Sequence, residues 1–384
     1  MRFPSGQVAI AGVYLTDQGK LPDRTSESLC VEAFKGALDD AGLTPGDVDA
    51  VSPAGGLMQA GWWAHQLDKT IVMAGSGAMG AAGVTEAAAF INAGLAEVVV
   101  LICGQAGSRL GPGSQSAAVT ARSPRVSEWN PAPWGMFMSA WYAQMAQRYL
   151  HVFGATSEQL AEVSVTFRKH ATLNPRSVMG VRGEITVDDV MGSRMIATPL
   201  HLLECCLDND GGYAIVVTST ERARSLKKKP VLVLGGATAL WNTPYEEFND
   251  EYWPSPASVT GPKAMAQAGV KHDDFDVLGI YDCFTITVAR LMEDLGFCKL
   301  GEGADYVGGG RLGLGGEFPT NLDGGLLSHS HNGNPSGLHL IEVVRQLRGE
   351  VEPERQVENP KIGFVHGQGA AVLGRHGSCV LAID

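Results

Sequence analysis

The run Tyr281-Asp282-Cys283-Phe284-Thr285 sets a phenol, a carboxylate and a thiol in three successive positions. A phenol both donates and accepts hydrogen bonds and has a reference pKa of about 10, so Tyr281 either exchanges a proton with a substrate or packs as a strand-end aromatic. His331 sits in Gly324-Gly325-Leu326-Leu327-Ser328-His329-Ser330-His331-Asn332-Gly333, and His366 in Val365-His366-Gly367-Gln368-Gly369-Ala370. Imidazole titrates close to neutral pH, which suits it to moving protons. His329 and His339 read as structural histidines, and His366 as a second acid/base candidate. Two side chains offer a nucleophile: Ser76, in Ala74-Gly75-Ser76-Gly77-Ala78-Met79-Gly80, and Cys283. A serine hydroxyl attacks only with a base beside it, and a glycine-rich turn is the other reason for a serine at this place.

Such groups need a scaffold to converge. The chain has 384 residues, 45% of them hydrophobic, enough for two to three domain-sized units and a core that needs no disulfide or metal staple. Lysine and arginine number 29 against 41 aspartates and glutamates, a formal net charge of −12 with no basic stripe, which argues against nucleic acid as the main partner. An anionic small molecule held at a local basic spot remains compatible. The seven cysteines contain no CxxC pair, so they form neither a disulfide framework nor a zinc ribbon, and no metal is expected. The adjacent Cys205-Cys206 reads as packing. The opening Met1-Arg2-Phe3-Pro4-Ser5-Gly6 lacks a leader pattern, and the apolar run Val98 to Cys103 is too short to span a bilayer. These features together imply a soluble, cytoplasmic protein.

Hydrophobic periodicity predicts a buried strand at 8–13, then a helix on Leu29, Ala33, Phe34, Ala37 and Leu38 that ends at Gly42. Helices follow at about 81–93, 138–153 and 157–172, the last with the capping box Thr156-x-x-Gln159, and strands at 97–103 and 213–218. Lys227-Lys228-Lys229-Pro230 reads as a solvated linker, after which the pattern restarts at Val231. The restart is a repeat: Ala41-Gly42-Leu43-Thr44-Pro45-Gly46-Asp47-Val48-Asp49 has its counterpart in Ala268-Gly269-Val270-Lys271-His272-Asp273-Asp274-Phe275-Asp276. The helix ending at Gly94 resembles the one ending at Gly349, and Tyr213–Thr218 resembles Ala370–Gly374. Two α/β halves result, residues 1–226 and 227–384, the first with a loop or lid insertion at about 104–200. The stretch Gly104 to Gly135 is too long for an ordinary connection, and Arg109, Arg122 and Arg125 in it face either a phosphate or solvent. The glycine-rich run 308–316 lacks the spacing of a phosphate or dinucleotide loop and reads as a flexible turn.

These motifs in combination resemble the thiolase superfamily, and more closely the sterol carrier protein-type thiolases and their thiolase-like aldolase (lipid-transfer protein) relatives. The likeness runs over nearly the whole chain, including Leu202-Leu203-Glu204-Cys205-Cys206-Leu207-Asp208-Asn209-Asp210-Gly211-Gly212. It implies a thiolase-like α/β fold, with two repeated halves forming a five-layered α-β-α-β-α structure. In true thiolases a cysteine at the N-terminus of the first central helix accepts the acyl group, its pKa lowered by the helix and a neighbouring histidine. Counted back from Gly94-Leu95-Ala96-Glu97, that position is Gly77 here, with no cysteine near it. Tyr281 stands where sterol carrier protein-type thiolases carry the histidine of a His-Asp-Cys-Phe motif, and thiolase-like aldolases use tyrosine in this region. His331 matches the histidine of the family's Gly-His-Pro motif, flanked here by Ser330 and Asn332. His366 stands in the C-terminal loop of the family's second catalytic group, whose cysteine position aligns nearer Phe364.

The resemblance thus implies a carbon–carbon lyase that performs retro-aldol cleavage of a β-hydroxyacyl-CoA, its acyl group a steroid or another bulky side chain, without a cysteine acyl-enzyme. A base removes the β-hydroxyl proton while donors stabilise the thioester enolate. Tyr281 and His331 are the proton-transfer and enolate-stabilising groups, in either order. Backbone amides near Gly77 and Gly369 are further donors, and Ser76 and Cys283 line the substrate. No cofactor is expected to stay bound; coenzyme A arrives as the substrate thioester. A homodimer and a separate small OB-fold, zinc-ribbon partner are also implied. Two rivals remain: a thiolase-type acyltransferase with Ser76 or Cys283 as nucleophile, and a non-catalytic acyl-CoA- or lipid-binding subunit.

Overall fold

The computed structural model describes residues 3–54, 60–73, 80–107, 138–240, 254–332, 336–369 and 374–384. The strands are β1 (Val8–Leu15), β2 (Ala50–Ala54), β3 (Val72–Met73), β4 (Val98–Gln105), β5 (Gly211–Ser219), β6 (Val231–Leu240), β7 (Val277–Ile280), β8 (Ile362–Gly369) and β9 (Arg375–Ile383). They hydrogen-bond in the order β3-β2-β4-β5-β1-β6-β9-β8-β7. The principal helices are α1 (Ser26–Ala41), α2 (Ala60–Leu67), α3 (Gly80–Asn92), α4 (Met138–Phe153), α5 (Ser157–Thr172), α6 (Ala257–Ala268), α7 (Thr285–Asp294), α8 (Gly325–Ser328) and α9 (Ser336–Arg348).

The repeat in the sequence is a repeat in the sheet. The first half runs β3-β2-β4-β5-β1, and the second runs β7-β8-β9-β6, the same order without a counterpart of β3. The halves join where β1 pairs antiparallel with β6 through Ala9 and Ile10. Equivalent residues do equivalent work. Gly42 and Gly269 end α1 and α6 at φ 76° and 72°. The Asp49 carboxylate accepts the N–H groups of Glu97 and Val98, both at 2.8 Å, where β4 begins. Asp276 accepts those of Lys361 and Ile362, at 2.7 and 2.9 Å, where β8 begins. Each carboxylate thereby satisfies two strand-end donors and fixes the register of a parallel neighbour.

Alternation along the strands builds the layers, because successive side chains leave opposite faces. Ala9, Ala11, Val98, Val100, Ala214 and Val216 pack with α1, whereas Val8, Ile10, Val99, Leu101, Ile215 and Val217 belong to the central core. Helices α3 and α9 fill that centre, each packing on strands of both halves, while α6 covers β6 and β9 from outside. The five-layer expectation is met in this order of α1, sheet, α3 with α9, sheet and α6. The two central helices meet at their first residues: a Cβ on Gly80 would lie 2.2 Å from the Ser336 carbonyl oxygen, so glycine is required for the approach.

Most element boundaries agree with the sequence reading, including the Thr156 and Gln159 capping box. Three readings change. The counterpart of β5 is β9, not the segment 370–374, most of which lies outside the described residues. The lysine linker is clamped rather than simply solvated: Lys227 N–H donates to the Ala41 carbonyl, and Lys228 Nζ lies 2.7 Å from Glu350 and 3.4 Å from Asp40. The glycine run 308–316 is held by its own backbone, with Gly313 donating to Gly310, Gly316 to Gly313 and Phe318 to Arg311.

Candidate active site

Tyr281 follows β7 directly, and its N–H donates to the His366 carbonyl at 3.1 Å, tying β7 to β8. Its side chain is buried. Burial, reinforced by Cys283, Cys206 and Asp282, pushes the phenol well above its ordinary pKa, so it is a protonated donor at neutral pH. The adjacent Asp282 carboxylate is wholly buried and accepts the Leu326 N–H at 3.0 Å, at the start of α8. Gly325 has φ 59°, and a Cβ on it would sit 2.1 Å from Asp282 Oδ2. The pair Gly324-Gly325 is therefore dictated by the carboxylate beneath it. Asp282 Oδ1 also lies 3.0 Å from Nε2 of His339, close enough for charge attraction but turned out of hydrogen-bond alignment. The His339 ring, fully buried in α9, stands edge-on to Tyr281 with centroids 6.4 Å apart.

The His331 loop is anchored on both sides. Asn209 Oδ1 accepts the His331 N–H at 2.8 Å, and the Asn209 N–H donates to the His331 carbonyl at 3.4 Å. Gln18 Oε1 accepts from Ser330 Oγ at 2.7 Å and from Asn332 Nδ2 at 2.6 Å. The two residues that depart from the family's Gly-His-Pro motif are thus the ones that fasten the loop to the first half. Gly211 leaves room for this clamp, since a Cβ there would meet Gln18 Oε1 at 2.0 Å. The His331 ring is half-buried, and desolvation, with a smaller push from His339, lowers its pKa to about 4. At neutral pH it is an uncharged imidazole with an acceptor nitrogen.

Cys283 is buried behind Tyr281, 3.5 Å from Thr287 Oγ1, and its carbonyl accepts the Cys206 N–H at 2.8 Å. Burial pushes its thiol up to about 12, and that of Cys205 likewise to about 12. A nucleophilic cysteine needs the opposite shift. Tyr142 stacks on Phe284 at 4.4 Å and accepts a 2.7 Å hydrogen bond from Gln368 Nε2.

His366 is placed differently from Tyr281 and His331. Its ring is fully buried, with Nδ1 2.8 Å from Ser378 Oγ and Nε2 3.1 Å from His376 Nδ1, and desolvation lowers its pKa to about 3. It reaches the site through its backbone carbonyl on Tyr281. Gly369 ends β8, paired with Arg375. Ser76, Gly77 and the arginines at 109, 122 and 125 lie outside the described residues. Sequence reasoning missed Asn209, Gln18 and Asp282 as supports, and it set His339 aside. A signal existed for Asn209 in the Leu202–Gly212 motif, three of whose residues bond to the site: Cys206 to Cys283, Leu207 to Leu326 and Asn209 to His331. Among the described residues, no three His, Cys, Asp or Glu side chains are grouped to hold a metal ion, and no helix is long and apolar enough to cross a membrane.

A doubled five-layer α/β fold, with Tyr281 at a strand end against His339 of a central helix and the His331 loop anchored on Asn209, defines a protein of the thiolase superfamily. Residues 237–382 match the family described as thiolase C-terminal domain-like. The chain is 36% identical to a steroid side-chain-cleaving aldolase of Thermomonospora curvata, over 90% of this chain and 91% of that one. It is also 36% identical to a 17-hydroxy-3-oxo-4-pregnene-20-carboxyl-CoA lyase of Mycobacterium tuberculosis, over 92% and 95%. Among solved structures, an Ltp2-ChsH2(DUF35) aldolase superposes with a TM-score of 0.86 at 33% identity, covering 100% of this chain and 99% of that one. The chain belongs to the sterol carrier protein-type, thiolase-like acyl-CoA aldolases, and it is an acyl-CoA carbon–carbon lyase.

Proposed function

We propose that the chain cleaves the Cα–Cβ bond of a β-hydroxyacyl-CoA whose acyl group is a steroid side chain, with His331 as base and Tyr281 as donor. The observation that carries this reading is their complementary protonation, a neutral imidazole and a protonated phenol, with His339 interacting with both. His331 takes the proton from the β-hydroxyl, and the Cα–Cβ electrons pass to the thioester carbonyl as the ketone or aldehyde departs. The Tyr281 hydroxyl stabilises the enolate and supplies the proton that Cα receives, after which the two groups exchange a proton to reset. Asp282 and the His366 carbonyl hold Tyr281 in place, Cys283 and Ser76 line the acyl group, and N–H groups at Gly77 and Gly369 add donors. No acyl-enzyme is required, in keeping with the protonated Cys283 thiol.

The steroid substrate rests on the names of the two relatives, and a small OB-fold, zinc-ribbon partner on the DUF35 chain named with the solved aldolase. The chain works as a cytoplasmic homodimer with that partner. The test is a product assay on β-hydroxyacyl- and β-ketoacyl-CoA thioesters, with and without the partner. Release of a ketone or aldehyde without added CoA is expected from the wild type, and Tyr281→Phe and His331→Ala each lose about 100-fold or more in kcat. Cleavage that requires CoA and acts on the β-keto substrates overturns the reading, as does full activity in both variants.

A further inference from the structure

His329 and His339 flank the His331 loop, but only one of them touches the reaction machinery. The His329 Nδ1 atom lies 2.6 Å from Asp323, within the turn that leads into α8. His339 is different. It rides in the first turn of the central helix α9, is fully buried, and borders three parts of the site at once. Its Nε2 is 3.0 Å from Asp282 Oδ1, its ring edge faces Tyr281 at 6.4 Å, and it helps lower the proton affinity of His331. A Cβ on Gly279 would come within 3.0 Å of the His339 Cβ and carbonyl oxygen, so β7 is kept bare there to let the helix bring this ring close.

We propose that His339 is a positioning residue for the aldol cleavage: wedged between Asp282, the Tyr281 ring and the His331 loop, it fixes the phenol and couples the two proton-transfer groups. The inference rests on the roles given above to Tyr281 and His331. The groups facing it are Asp282 and Tyr281 beyond β7, Asp323 with its partner His329 from the turn before α8, His331 from the following loop, and Tyr213 of β5 against Gly337. Glu342 lies one turn further along α9. Two arrangements follow from the geometry. The Asp282 carboxylate 3.0 Å from Nε2 keeps the ring in place, and His339 lowers the proton affinity of His331, keeping that imidazole available as an acceptor. The same ring blocks the Tyr281 side chain from swinging toward α9.

The test uses the full chain with its partner protein and two variants, His339→Gln and His339→Phe. Glutamine keeps a polar group toward Asp282 but loses the imidazole, and phenylalanine keeps a ring but loses the nitrogen beside the carboxylate. The proposal expects KM within about 2-fold of wild type and kcat lowered about 10- to 100-fold in both, with the acidic limb of the kcat–pH profile moved upward in His339→Gln. A second readout needs no turnover: in 15N-histidine-labelled protein the His331 titration, near pH 4 in the wild type, moves upward in His339→Gln. An unchanged kcat–pH profile together with an unmoved His331 titration in folded His339→Gln overturns the proposal. If His331→Ala and Tyr281→Phe are fully active while the His331 titration still moves in His339→Gln, the assigned roles fail and the coupling stands.

Discussion

Asn209 holds His331 by its backbone from both sides, accepting its N–H at 2.8 Å and donating to its carbonyl at 3.4 Å. The contact crosses between the halves of the molecule and aims the imidazole without touching it. Replacing Asn209 by Ala leaves one buried donor without its partner, a cost of about 1–3 kcal/mol. The expected outcome is kcat lowered about 10-fold or more, because misplacing a reacting group by an ångström is costly, with a smaller change in KM. Steady-state kinetics on the cleaved thioester, beside a thermal melt, reads it. A loss confined to Tm with wild-type kcat shows that the loop finds its position without Asn209.

The thiols at the site make a separate prediction. Burial holds the Cys283 thiol at about 12 and Cys206 well above its ordinary value, so almost no thiolate is present at neutral pH. Incubation with acyl-CoA substrate is expected to leave the intact mass of the protein unchanged, and iodoacetamide at pH 7.5 is expected to alkylate Cys283 far more slowly than a free cysteine. A mass gain equal to the acyl group, mapped to Cys283, returns the chain to the acyltransferases.

Much of this was legible in the residues. The repeat through Gly42 and Gly269 gives the doubled sheet, since an αL glycine ending a helix ahead of a strand-fixing aspartate is a local signal with a local cause. Tyr281 and His331 stood out because they replace or follow motif residues. The supports did not, for a physical reason. Asn209 meets His331 across 122 residues, and Gln18 meets Asn332 across 314, so no spacing rule connects them. His366 is hard to read for the complementary reason: it lies on β8, where strand alternation turns its ring toward Ser378 and His376 on β9 while its carbonyl accepts from Tyr281.

Gly325 is the point where backbone and carboxylate compete for one volume. At φ 59° an L side chain is strained, and a Cβ there lies 2.1 Å from Asp282 Oδ2. Gly325→Ala is expected to cost about 2–3 kcal/mol and to displace the carboxylate that caps α8 and pairs with His339. Denaturant titration gives the first quantity and kcat the second. Unchanged activity in a destabilised protein shows that Asp282 serves α8 alone.

The buried histidines set the acid limit of the fold. His170 and His331 are lowered to about 4 and His366 to about 3, in each case chiefly by desolvation. In the unfolded chain they titrate near 6.5, so between roughly pH 6.5 and 4 the unfolded state binds protons that the native state refuses. Their contribution is fully present above pH 6.5 and is lost as pH falls, with a slope approaching about 1.4 kcal/mol per pH unit for each histidine. Urea melts at pH 7.5, 6 and 5 are expected to show stability falling steadily. His366→Asn, which keeps a polar group near Ser378 and His376, is expected to reduce the slope by about one proton even if it lowers stability at pH 7.5. An unchanged slope in that variant shows that His366 is already protonated in the native state, against the desolvation that lowers its pKa here.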